Sequence, residues 1–308
     1  MKKRILIWSA ISVFIILLGT FIYFLFYQNM PEFAISTLKQ LAQPTSPDRI
    51  LVLAPHPDDE VLGVGGYMAT AIKNNATVKV VIATNGDGER FSASSGFRKI
   101  QTKPKDYIAI GYARQKESVA ALKVLGLSEN NIVFLGYPDG GLKSMLVQNW
   151  TKPYRSPHTK VDSSPYNNSF SPNTVFTGEN LNQDLTKIIN DYQPNIIFCT
   201  SSDDAHPDHA ALAGFLAKIK NNSAVSTNYY LIHARRFPYP KGIQIKRYLT
   251  PPLRLITFSN VWSQFDLPVE VETLKENAIA QYKSQLKEPF LKSLMLGFVK
   301  KDEIFSTE

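Results

Sequence analysis

ILVLAPHPDDEVLGVGG, residues 50–66, decides the fold. Its first five residues, Ile50 to Ala54, are an unbroken apolar run closed by Pro55, the signature of a strand buried on both faces. From Val61 the apolar positions take a helical spacing that continues to Lys73. Strand and following helix form half of a βαβ unit, and open α/β folds place their ligands at the carboxyl ends of such strands. The polar string Pro55-His56-Pro57-Asp58-Asp59-Glu60 falls at that end. A second strand-like run, Ile196 to Thr200, leads to His206-Pro207-Asp208-His209 and a helical pattern through Ile219. Between them the two strings hold three of the five histidines.

Working outward, strand-like runs at Val78 to Ala83, Ile132 to Leu135 and Tyr229 to Ile232 alternate with helical patterns at Tyr107 to Leu125 and Asn180 to Tyr192. This alternation predicts an α/β fold: a Rossmann-like, mostly parallel sheet with helices on both faces. Residues 136–179, rich in Pro, Ser and Asn, break the rhythm, with an insertion over about 143–179. A connection of that length is either functional or disordered. Trp150, Tyr154, Tyr166 and Phe170 favour an ordered surface that walls a cleft.

Residues 5–27 are uncharged and apolar behind Lys2-Lys3-Arg4. About 20 such residues span a bilayer, and the basic flank sets the N-terminus in the cytoplasm. The expectation is one N-terminal transmembrane helix within residues 1–28, a tether over 29–48 and an extracytoplasmic catalytic domain over 49–308. Membrane lipid would then be a partner. Net charge is +8, with a basic stretch of Arg235, Arg236, Lys241, Lys246, Arg247 and Arg254 interleaved with aromatics. That stretch suits an anionic ligand or a solvated face, and no nucleic-acid motif accompanies it. Cys199, the sole cysteine, has no partner for an intramolecular disulfide.

Histidine and carboxylate at this density supply what a catalytic metal needs. His56, Asp59 and His209 make a three-ligand set that leaves a fourth position for water, with Asp58 free for proton transfer. The competing reading makes Asp58, Asp59 and Asp208 helix N-caps, but two caps at two strand exits is a poor coincidence. His158 and His233 stay outside the metal set, the first as a surface residue and the second as a possible ligand contact. In GVGG, Gly63, Gly65 and Gly66 depart from the G-x-G-x-x-G phosphate fingerprint, and close helix packing is their expected role.

PHPDDE at 55–60 and HPDH at 206–209 resemble the signature of the PIG-L/LmbE family of zinc-dependent sugar N-deacetylases. Supporting matches are Ala113-Arg114-Gln115-Lys116-Glu117, the turn Gly136-Tyr137-Pro138-Asp139-Gly140-Gly141-Leu142, and Ala280 to Gln285. The resemblance implies one Zn²⁺ per chain on His56, Asp59 and His209, with Asp58 as general base. It implies further that His206, oriented by Asp208, stabilises the oxyanion. Arg90, Arg98 and Arg114 are candidates for a substrate-contacting arginine. The implied reaction releases acetate from an N-acetylglucosaminyl glycolipid or glycan, possibly lipid-linked or anionic. Two alternatives stay open at this point: hydrolysis of another amide, and an anchored glycan-binding protein with a non-catalytic metal site. The intact Asp58 argues against the latter, since holding a metal needs only the ligands.

Overall fold

The computed structural model describes residues 8, 11–23, 38–88, 103–219, 225–244, 247–256 and 261–307. Two compact units result, Met1–Leu38 and Lys39–Glu308. In the first, residue 8 and residues 11–23 are helical (α1). Among the described residues no helix is long and apolar enough to cross a membrane. This overturns the expected single-pass anchor and the extracytoplasmic placement, and leaves the membrane-lipid contact, which rested on that span, without support.

In the second unit the strands are β1 (Lys39–Gln40), β2 (Arg49–Ala54), β3 (Thr77–Thr84), β4 (Ile132–Tyr137), β5 (Ile196–Thr200), β6 (Ser226–Tyr230), β7 (Val261–Asp266) and β8 (Asp302–Thr307). They form one sheet in the order β1-β7-β8-β6-β5-β2-β3-β4. All pairings are parallel except those of β8 with β6 and β7. The helices are α2 (Asp59–Lys73), α3 (Pro104–Val124), α4 (Leu142–Val147), α5 (Gly178–Tyr192), α6 (Pro207–Ile219), α7 (Val269–Ile279), α8 (Lys283–Leu286) and α9 (Pro289–Leu296). Helices α2, α3 and α7 pack together, and α4, α5 and α6 form a second group. Leu51, Leu53, Val81, Leu135 and Cys199 face that second group, joined by Leu181, Leu185 and Leu212. The predicted mostly parallel α/β sheet is present, with an antiparallel strand added.

The chain leaves β2 toward β3 and β4 on one side and leaves β5 toward β6 on the other, while β2 and β5 are parallel neighbours with Ile50 opposite Ile196. A crevice opens where strand order reverses in this way. His56 and His206 therefore exit adjacent strands at the same edge of the sheet.

The glycines of α2 serve packing. A Cβ at Gly63 would stand 2.2 Å from the Tyr230 ring, and one at Gly66 2.4 Å from Leu267. The 136–179 segment is ordered and inward-facing: Trp150 stacks on Phe215 at 6.1 Å between ring centroids, and Tyr166 is fully buried.

Candidate metal centre

Three donor atoms from the two motifs converge. His56 Nδ1 lies 3.1 Å from Asp59 Oδ2 and 3.2 Å from His209 Nε2, and His209 Nε2 lies 3.2 Å from Asp59 Oδ2. A tetrahedral ion with ligand bonds of about 2.0–2.1 Å separates its ligand atoms by roughly 3.3–3.4 Å. The donor spacing matches that sphere to within a few tenths of an ångström. Each residue is at least nine-tenths buried.

Carboxylates stand behind both imidazoles. His56 Nε2 is 3.1 Å from Asp139 Oδ1 and 3.4 Å from Asp208 Oδ2, and His209 Nδ1 is 3.2 Å from Asp204 Oδ2. Such partners fix ring orientation and tautomer in metal sites. Asp204 also accepts from the N–H groups of His206, Ile232 and His233 at 2.8–3.0 Å. Asp208 accepts from Gly140 N–H at 2.7 Å and Leu142 N–H at 3.0 Å. Its carboxylate thus faces the glycine-rich turn and His56, and it meets His206 through its backbone N–H, which donates to His206 Nδ1 at 3.3 Å.

The electrostatics call for a cation. Asp58, Asp59, Asp139, Asp204 and Asp208 crowd one buried volume. Burial works to lower the His56 pKa, yet Asp139, Asp208 and Asp59 hold it well above the usual imidazole range. Against the same burial effect, Asp59 and Asp204 raise His209 to about 9. The carboxylates around both rings thus favour positive charge there, which a divalent metal supplies when bound. Burial, then the charges of His56 and His209, bring His206 down to about 4. It is a neutral imidazole at neutral pH.

Asp58 sits beside the donors with φ 122°, a conformation held by the Glu60 carboxylate, which accepts its N–H at 3.0 Å. Glu60 also accepts from the Tyr282 hydroxyl at 2.6 Å, and Gln285 Nε2 donates to the Asp58 carboxylate. Burial and then the Asp59 charge push Asp58 up to about 8. It stands at the N-cap position before α2, yet its side chain makes no capping hydrogen bond, which disposes of the cap reading for this residue.

Arg114 donates to the carbonyls of Pro57 and Gly86, each at 2.9 Å, and lies 3.9 Å from Asp58. It braces the motif loop from beneath, while Arg90 and Arg98 fall outside the described residues. Glu117, one turn along, accepts from Ser284 N–H and hydroxyl at 2.8 and 2.6 Å, holding α8 in place. His233 joins Asp59 and His209 in a group that could hold a metal and lines the cavity, whereas His158 is half-buried against Tyr107. Asp204, Asp139 and Gln285 are site residues that the motif reading passed over. Asp204 stands two residues before His206, and the other two lie inside quoted matching segments.

These residues enclose a cavity of about 220 Å³. His56, Asp58, Asp59, Arg114, Asp139, His206, His233 and Gln285 are polar lining residues, and Leu62, Ile232, Leu291, Leu294 and Met295 line it with apolar side chains. The PIG-L family profile, GlcNAc-PI de-N-acetylase, matches residues 51–220, which carry every proposed ligand. The chain belongs to the PIG-L family. No curated protein matches this PIG-L chain. Its fold is shared with the A40926 pseudoaglycone deacetylase Dbv21 (TM-score 0.52, 18% identity, 84% of this chain and 96% of that one). It is shared also with the N,N'-diacetylchitobiose deacetylase from Pyrococcus horikoshii (TM-score 0.51, 17% identity, 91% of each chain).

Proposed function

We propose that this PIG-L protein is a zinc-dependent N-deacetylase that hydrolyses the acetamide of an N-acetylglucosaminyl-type glycan or glycolipid to acetate and a free amine. The observation that carries the reading is the triangle of His56 Nδ1, Asp59 Oδ2 and His209 Nε2, 3.1–3.2 Å on each side. Two imidazole nitrogens and one carboxylate oxygen form a ligand set typical of catalytic zinc. Zinc held there would polarise the amide carbonyl and lower the pKa of a water to about 7.

With the charge of a metal on the neighbouring donors lowering its pKa, Asp58 would be ionised, take the proton from the attacking water and return it to the departing amine nitrogen. Gln285 and Glu60 keep its carboxylate aimed while it does so. His206 receives the Asp208 N–H on Nδ1, so its neutral ring carries the proton on Nε2. That N–H donates to the carbonyl oxygen as it gains charge. Leu291, Leu294 and Met295 contribute an apolar part of the cavity lining. The cavity of about 220 Å³ is smaller than pockets that enclose a drug-sized ligand, ~300 Å³ and above. It takes the acetamide-bearing ring, and the rest of the substrate lies outside it.

Asp58→Asn tests the assignment. The variant retains one metal per chain by elemental analysis, while acetate release falls about 10²–10⁴-fold. Undiminished turnover would remove Asp58 from the mechanism. Metal loss together with activity would instead make it a ligand.

A further inference from the structure

From the 143–179 insertion, Tyr166 reaches toward the metal centre. Tyr166 is fully buried, and its hydroxyl donates to Asp87 Oδ2 at 2.7 Å. The other oxygen of Asp87 accepts the Asp139 N–H at 3.2 Å. In return Gly88 N–H donates to Asp139 Oδ2 at 2.9 Å, leaving Asp139 Oδ1 3.1 Å from His56 Nε2. The exit of β3 and the turn after β4 thus clamp each other, and the clamp ends on a ligand of the proposed metal.

The surroundings are shaped to admit this tyrosine. A Cβ at Gly111 of α3 would stand 2.1 Å from the Tyr166 oxygen, and Gly136, at φ +73°, would meet its ring at 3.3 Å. Asp87 is 2% exposed. Burying a carboxylate costs several kcal/mol unless partners satisfy it, and a mere turn has no need of one. Burial and the neighbouring Asp139 charge push Asp87 up to about 7, and the two donors hold its oxygens in place.

Resting on the metal-centre reading above, we propose that Tyr166 is a positioning residue for the metal: through Asp87 and Asp139 it fixes the His56 ring, making the long segment part of the metal-binding apparatus. Removing its hydroxyl while keeping its ring loosens Asp87, then the turn, then His56. Replacing an outer-shell partner of a metal-binding histidine lowers metal affinity by about 10–100-fold, and a residue two links away falls at the low end of that range.

The test is a Co²⁺ titration of the full-length protein after chelation, followed by the visible absorption of the bound ion and requiring no substrate. Tyr166→Phe should weaken Co²⁺ binding roughly tenfold, and Asp87→Asn at least as much. In an Asp139→Ala background, where the last link is already cut, Tyr166→Phe should change affinity less than about twofold, because residues acting in series are not additive. Unchanged affinity in Tyr166→Phe, with only a lower melting temperature, would overturn the proposal. So would an equal loss in both backgrounds. Wild-type protein that fails to take up Co²⁺ would bring down the metal-centre reading along with it.

Discussion

Asp58 concentrates the local physics of the site. A non-glycine residue at φ 122° carries backbone strain of about 1–3 kcal/mol, and that strain persists because Glu60 holds its N–H and Gln285 its carboxylate. Gln285→Ala should lower kcat/KM about 10–100-fold with metal content unchanged, since loss of aim rather than of a ligand is the defect. Steady-state kinetics alongside elemental analysis would check this, and a parallel loss of metal would refute it. Asp204 acts on the metal side of the same site. Asp204→Ala should weaken Zn²⁺ binding about 10–100-fold by releasing the His209 ring, measured by competition with a chromophoric chelator. The proposed ligand residues stood out in the sequence because His and Asp stand together at strand exits. Asp204, Asp139 and Gln285 were not, because their importance comes from which atoms they face after folding.

Helix α2 shows what the elements contribute. Its two ends differ in purpose: the first turn delivers Asp58 and Asp59, and the middle is small so that other elements can approach. Gly63→Ala should cost about 1–3 kcal/mol through overpacking against Tyr230, seen as a lower melting temperature with unchanged metal stoichiometry. At the same level in the helix, Glu303 of β8 accepts the N–H groups of Gly66 and Tyr67 at 2.7 and 2.8 Å and pairs with buried Lys275 at 2.6 Å. Glu303→Ala leaves that ammonium buried alone, and about 3–5 kcal/mol of stability should go with it. Calorimetric unfolding would read the loss. Strands β2 to β6 were legible as apolar runs, and their bounds shift by only a few residues. Strands β1, β7 and β8 went unread; β8 opens with Asp302 and Glu303, both buried, which is the reverse of an apolar strand signature.

At the scale of the molecule, sheet order does what sequence distance seems to forbid. Placing β5 beside β2 brings His209 to within 3.2 Å of His56 although 153 positions separate them. The α/β class was legible from the alternation of strand and helix, but the meeting of the motifs depends on strand order, which no local pattern encodes. The N-terminal apolar stretch carried the opposite lesson. Composition alone suggested a membrane span, and among the described residues no helix is long and apolar enough for one. The central claim, that a metal on His56, Asp59 and His209 drives deacetylation, is tested most directly by acetate release from an N-acetylglucosaminyl substrate before chelation, after chelation and after Zn²⁺ is restored. The account predicts release by the native protein, loss on chelation and recovery with about one Zn²⁺ per chain. Acetate release that continues undiminished in the metal-free protein would contradict it.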